Sequence, residues 1–259
     1  MIQEHKSGDK MILCIDVGNT NCVFGIFDND TLVTSFRLES NLSQTADEYA
    51  VKVLGLLKYH NLDYTKIEGI IIASVVPPLD VTFERMCNKY FKRKPIFVGP
   101  GTKTGVRINV DNPKQVGADI IVGAVAAIHK YGAPVIIIDM GTAITLFYVD
   151  NKKELIGGII APGIKTSFNG LFKNAARLEE VKIDNPPSVI GRDTASCIQS
   201  AMIHGTVSMV DGLIRRMKKE IGEDANEVKV VLTGGEARFI MKFLEEKYIY
   251  DEDLIMDGL

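Results

Sequence analysis

An apolar strand ending in Asp-x-Gly occurs twice in this chain: Ile15-Asp16-Val17-Gly18-Asn19-Thr20 matches Ile138-Asp139-Met140-Gly141-Thr142-Ala143. A second apolar strand follows each copy, and Asp28-Asn29-Asp30 and Asp150-Asn151-Lys152 then take corresponding places before a third. Each copy reads as a three-strand β-meander with turn chemistry between its strands. Two matched meanders in 259 residues imply two α/β lobes made by duplication, dividing near Asn112, with 11–115 as the first lobe and 116–259 as the second.

The segments between the meanders support this. Thr45-Ala46-Asp47-Glu48 is a capping box, and Ala50, Val53, Leu54 and Leu57 follow at helical spacing. Gly69 to Val76 reads as a buried strand stopped by Pro77-Pro78, Leu79 to Phe91 as a helix, and Lys94 to Val98 as a further strand. In the second lobe a small-residue helix over about 117–131 precedes the strand Ala133 to Asp139, and Val228 to Leu232 is a later strand.

Charge and composition exclude several classes. The formal net charge is −3 and the 30 Lys and Arg are dispersed, so a nucleic-acid footprint is missing. Apolar runs such as Val135-Ile136-Ile137-Ile138 are far shorter than the roughly 20 residues of a membrane span. Cys14, Cys22, Cys87 and Cys197 show no CxxC spacing and fall within apolar patterns, as buried thiols of a reducing compartment do. Met1 to Lys10 is polar and unlike a secretory signal, so a cytoplasmic protein with a short leader or an alternative start is expected.

A glycine turn lets backbone N–H groups approach phosphate oxygens, and neighbouring Asn and Thr add donors. Asp16 to Thr20 has these parts. A carboxylate beside phosphate repels it unless a cation stands between, so Asp16 and Asp139 read as ligands of Mg2+ or a monovalent cation, directly or through water. The alternative is that each Asp only caps its own turn. The segment Gly157-Gly158 to Pro162-Gly163 reads as a strand end breaking into a turn and a helix, where absent side chains would admit a purine ring. Thr233-Gly234-Gly235 offers a second such glycine turn. Asp119, a lone acid opening an apolar helix, is either an N-terminal helix cap or a general base. His5, His60, His129 and His204 fall in no ligand-spaced cluster and read as surface or packing residues.

Taken in order, Asp16 to Thr20, Lys103-Thr104-Gly105, Asp111-Asn112-Pro113, Gly117-Ala118-Asp119, Asp139 to Ala143, the Gly157 to Gly163 segment, Gly191 to Thr194 and Thr233 to Gly235 resemble the type III pantothenate kinase family, over essentially Met11 to Leu259. The resemblance implies a duplicated actin-like (ribonuclease H-like) α/β fold. It implies ATP-dependent phosphorylation of pantothenate to phosphopantothenate, the first step of coenzyme A biosynthesis. It further implies that Mg2+ and a monovalent cation, K+ or NH4+, assist and that the protein acts as a homodimer with pantothenate at the dimer interface, and no nucleic-acid or membrane partner is expected. By the same resemblance Asp16, Val17, Gly18, Asn19, Thr20, Asn21, Cys22 and Val23 form the first ATP-phosphate loop, and Thr142 is a further ATP contact. Asp139 holds the monovalent cation, Asp119 accepts the proton, and Gly117, Ala118 and Thr194 contact pantothenate.

Two positions at the acceptor site depart from the family pattern: Ile120 stands where the family usually has Arg, and Val110 where it usually has Tyr. An Arg fork can hold a carboxylate through two oxygens, which Ile cannot. Weak pantothenate binding is therefore expected. A paralogue acting on another hydroxyl compound, or a nucleotide-binding regulator without turnover, would carry the same ATP half.

Overall fold

The computed structural model describes residues 10–222 and 227–259; His5 and the polar segment before Lys10 lie outside the described residues. The chain forms two compact units. One comprises the chain through Gly105 with Asn112–Ala126 and Ile255–Leu259; the other comprises Val106–Asp111 and Ala127–Leu254.

In the first unit, Met11–Val17 (β1), Asn21–Asp28 (β2) and Thr31–Glu39 (β3) form the expected meander. Helix Ala46–Tyr59 (α1) follows, with Thr45 as its N-cap: the Thr45 N–H donates to the Glu48 carboxylate at 2.7 Å and the Glu48 N–H to Thr45 Oγ1 at 3.3 Å. A cap of this kind stabilises a helix by about 1 kcal/mol. Its buried stripe, Tyr49, Ala50, Val53 and Leu57, meets Leu13, Ile15, Phe24 and Phe83 in the core of this unit. Strand Ile67–Ser74 (β4) returns parallel to β1, and Ile96–Phe97 (β5) parallel to β4, giving the order β3-β2-β1-β4-β5.

Between them lies helix Pro77–Met86 (α2). The sequence suggested that the proline pair separates strand from helix; instead the helix begins on Pro77 itself. First-turn residues have no intrahelical acceptor for their N–H, so a residue lacking one costs nothing there.

Arg107–Ile108 (β6), in the second unit, precedes helix Ala118–Tyr131 (α3), whose residues through Ala126 cluster with the first unit. A cut at 115/116 would assign α3 wholly to one side; the compact units divide it after Ala126. Val135–Met140 (β7), Ala143–Val149 (β8) and Glu154–Pro162 (β9) then make the second meander. Helices Ile164–Asn174 (α4), Thr194–Ser200 (α5) and Thr206–Ile221 (α6) lead to Lys229–Thr233 (β10), Ala237–Ile240 (α7), Ile249–Tyr250 (β11) and Leu254–Asp257 (α8). The sheet order is β11-β10-β7-β8-β9-β6.

Read from the meander outward, β9-β8-β7-β10-β11 repeats β3-β2-β1-β4-β5 strand for strand, antiparallel within each meander and parallel beyond it. The duplication is thus written in the pairing as well as in the Asp-x-Gly motif. Strand β6 is an addition on the β9 edge.

Cys14, Cys22 and Cys87 are buried, but Cys197 is exposed, contrary to the expectation of four buried thiols. On α5 the buried positions are Ser196, Ile198 and Ser200, which leaves Cys197 on the outer face. Among the described residues no helix is long and apolar enough to cross a membrane.

Candidate active site

The two Asp-x-Gly turns are built alike. Asp16 lies next to last on β1, in register with Val23 on β2 and Ala73 on β4. Asp139 lies next to last on β7, in register with Thr145 on β8 and Thr233 on β10. Both are half-buried. In each turn the glycine N–H is donated back into its own hairpin, Gly18 to the Asn21 carbonyl at 3.0 Å and Gly141 to the Ala143 carbonyl at 2.9 Å. The first turn is one residue longer, so Asn21, not Thr20, is the structural counterpart of Ala143. Val17 pairs with Cys22 across four residues, whereas Met140 pairs with Ile144 across three.

Ser40, which no sequence motif singled out, supports the first turn from behind. Its N–H donates to the Thr20 carbonyl at 3.0 Å and its Oγ to the Gly18 carbonyl at 2.5 Å, while Cys22 Sγ lies 3.2 Å from the same Oγ. Asn19 and Thr20 remain exposed at the tip. Burial holds the Cys22 thiol above its ordinary range, so this cysteine is a packing group and not a nucleophile.

The second turn is held by glycines that no other residue could replace without a shift. A β-carbon at 163 would stand 2.0 Å from the Gly141 carbonyl, and one at 234 would stand 2.3 Å from Asp139 Oδ1. Gly234 also has a φ of +94°, in the left-handed region that favours glycine. The Gly163 N–H and Thr166 Oγ1 both donate to the Thr142 carbonyl, at 2.9 and 2.7 Å. Thr233-Gly234-Gly235 therefore packs directly behind Asp139.

Gly157 and Gly158 lie within β9, not at its end, since the strand runs unbroken to Pro162. A β-carbon at 158 would stand 2.2 Å from the Leu146 carbonyl and 2.8 Å from the Phe147 ring. The pairing slips past Ile156 at this point, so the pair marks an irregularity where backbone and ring approach closely.

Asp119 is the second residue of α3. Its Oδ1 accepts from the Ile120 N–H at 2.8 Å, and the Gly117 carbonyl accepts from the Ile121 N–H. Gly117 thus occupies the helix N-cap position, and Asp119 leans on the helix start from one place further in. Burial pushes its carboxyl above the ordinary range, against the lowering effect of its backbone hydrogen bonds. A raised pKa suits a carboxylate that must take up a proton.

Thr194 is exposed as the first residue of α5, whose N-cap is Asp193. Val110 and Ile120 are half-buried, and His60, His129 and His204 sit at or near the surface. Among the described residues no group of three or more His, Cys, Asp and Glu could hold a metal alone. Asp16 and Asp139 offer the hard oxygens that Mg2+ and K+ prefer, and a cation at either would complete its shell with turn carbonyls, water or phosphate oxygens.

The sequence profile of a family described as type III pantothenate kinase matches residues 12–216. A curated type III pantothenate kinase from Exiguobacterium sp. (strain ATCC BAA-1283 / AT1b) is 46% identical over 249 residues, spanning 96% of this chain and 96% of the relative. Among solved structures, a Campylobacter jejuni protein described as belonging to the Baf family of transcriptional activators superposes with a TM-score of 0.55 at 20% identity, over 95% of this chain and 94% of its own. The ethanolamine utilization protein EutJ from Carboxydothermus hydrogenoformans gives 0.53 at 11% identity, over 96% and 87%. At such identities the two superpositions speak to the fold alone.

Proposed function

This chain belongs to the type III pantothenate kinase family and is a pantothenate kinase with an actin-like fold, and we propose that Asp119 is its proton acceptor while the Asp16 and Asp139 turns serve ATP. It transfers a phosphoryl group from ATP, with a divalent metal, to pantothenate at the head of coenzyme A biosynthesis. The observation that carries the assignment of roles is the recurrence of one hairpin, Asp followed by a glycine turn, at the same place in both sheets.

In this reading the exposed residues Asn19 and Thr20 face phosphate oxygens, with Asp16, Val17, Gly18, Asn21, Cys22 and Val23 shaping the loop. Thr142 contacts ATP, Asp139 holds a monovalent cation, K+ or NH4+, and of the glycine pair only Gly157 has open space beside it for adenosine, since the Leu146 carbonyl and the Phe147 ring fill the place of a side chain at Gly158. Bound cations neutralise charge on the phosphates. Asp119 accepts the proton of the pantothenate hydroxyl as its oxygen bonds to the γ-phosphorus and the bond to ADP breaks. Gly117, Ala118, Ile120, Val110 and Thr194 border pantothenate, which in a homodimer lies where two copies meet.

The test is ADP release in Mg2+ plus K+, with pantothenate present and with it omitted. Release that requires pantothenate supports the assignment; release independent of it, or none, refutes it. Sedimentation under the same conditions reads the oligomeric state, and full activity in a monomer would remove the dimer from the mechanism.

A further inference from the structure

We infer that Glu236 is a positioning residue for the Asp139 to Thr142 turn, a claim that rests on the reading of that turn as an ATP and cation site. Glu236 follows the Gly234-Gly235 turn and is only 8% exposed. Its backbone N–H donates to the Met140 carbonyl at 2.9 Å, which ties it to the last residue of β7. Its carboxylate Oε2 accepts from the Ile164 N–H at 2.8 Å, which ties it to the first residue of α4. One residue thus joins the strand that enters the turn to the helix that supports it, because the preceding Gly163 donates to the Thr142 carbonyl.

Among the described residues the side-chain acceptor at the start of α4 is the Glu236 carboxylate, which takes the Ile164 N–H and also a backbone hydrogen bond from Lys165. The N-cap is Gly163, which has no side chain to offer, and a β-carbon there would collide with Gly141. A local cap residue is therefore excluded by the closeness of the turn, and the capping acceptor comes from 72 residues along the chain. The start of α4 carries partial positive charge, which suits a carboxylate. Burial nonetheless raises the Glu236 carboxyl above its ordinary range, against the opposing effect of the Ile164 amide and Lys165. Removing the carboxylate leaves the buried Ile164 N–H without an acceptor, and α4 can then relieve it only by moving, with Gly163 and Thr142 attached.

The experiment compares Glu236→Ala, Glu236→Gln and Ile164→Pro in the full chain, measuring KM for ATP, KM for pantothenate, the K+ concentration for half-activation and the melting temperature. Ile164→Pro removes the same hydrogen bond from the donor side, at a first helical position where proline is tolerated. Glu236→Ala and Ile164→Pro are expected to raise KM for ATP and the K+ requirement by roughly 5- to 150-fold, the range for one unsatisfied buried group, with KM for pantothenate unchanged. Glu236→Gln should recover most of this, since its amide oxygen still accepts from Ile164. A lower melting temperature with unchanged ATP and K+ constants would make the residue merely structural and overturn the proposal. So would a Gln variant as impaired as Ala. Thr142→Ala and Asp139→Asn separate the two claims: if they leave ATP and K+ constants unmoved, the ATP reading of the turn is wrong; if they weaken both and Glu236→Ala does not, only the positioning claim falls.

Discussion

A β-carbon on residue 117 would stand 2.3 Å from Oδ1 of Asp119. The same oxygen accepts from the Ile120 N–H at 2.8 Å, so the carboxylate cannot swing aside without losing that hydrogen bond. Glycine at 117 is therefore the condition for the position of Asp119. Gly117→Ala should lower kcat by about a hundredfold, the scale of a 1 Å misplacement of a reacting group, and leave KM for ATP nearly unchanged. Steady-state kinetics with both substrates varied reads this directly, and a near-normal kcat would release Asp119 from the chemistry.

The role proposed for Asp119 also carries a pH dependence. Its carboxyl is raised by burial, and only the ionised form can take a proton, so kcat should fall on the acidic side at a pH above the ordinary carboxylate value of about 3.9. Asp119→Asn should abolish that limb and lower turnover about a hundredfold or more. The sign for stability is the reverse. A carboxyl with a raised folded pKa favours the fold below the unfolded pKa, and this contribution is lost as pH rises through the folded value. At pH 7 the Asn variant should melt no lower than the parent, although it is nearly inactive.

The duplicated meander was legible because the Asp-x-Gly motif and the strand pattern around it are local, and the pairing registers bear out both. The capping box at Thr45 was equally plain. Ser40 and Glu236 were not legible. Each acts on a turn distant in sequence, Ser40 on Gly18 at a separation of 22 and Glu236 on Ile164 at 72, and nothing in a single sequence marks a serine or glutamate as the partner of a far glycine turn. The proline pair was misread for another reason: proline breaks a helix interior but suits a first turn, and only the hydrogen bonding tells which it occupies.

Thiol chemistry should separate the cysteines. Burial pushes Cys14 and Cys87 up to about 12 and raises Cys22, whereas Cys197 is exposed. The thiolate is the reactive form, so at pH 8 a charged aromatic disulfide reagent should modify one thiol per chain rapidly and the other three only on unfolding. Mapping the label to Cys197 by mass spectrometry would complete the check, and rapid labelling of Cys22 would contradict the packing at the first turn.

If Asp139 stands beside phosphate oxygens as proposed, it adds like-charge repulsion unless a cation intervenes. ATP titrated calorimetrically should therefore bind more tightly in K+ than in a buffer whose only monovalent cation is tetramethylammonium. Asp139→Asn should narrow that difference. Equal affinity in both buffers would remove Asp139 from the cation role.

The last expectation concerns the pantothenate carboxylate, which, if Ile120 and Val110 border it as proposed, lacks the fork and the ring hydroxyl that the resemblance to the family would lead one to expect there. Backbone donors at the start of α3 are the natural substitute, because a helix N-terminus favours an anion. Two of them are already engaged: the Ile120 N–H is bound to Asp119 Oδ1, and the Ile121 N–H to the Gly117 carbonyl. A second carboxylate brought to this helix start would compete with Asp119 for the same amides and would repel it. Pantothenate should accordingly show a high KM, and Ile120→Arg combined with Val110→Tyr should lower it. Loss of a hydrogen-bonded charge pair costs about 2–5 kcal/mol, so restoring even part of one corresponds to roughly tenfold or more in KM. The pantothenate alcohol, which lacks the carboxylate, gives the contrast: its KM should not respond to the double substitution. If the parent protein binds pantothenate tightly and the double substitution changes nothing, the carboxylate is held by other residues and Ile120 is not the cause of a weakened site.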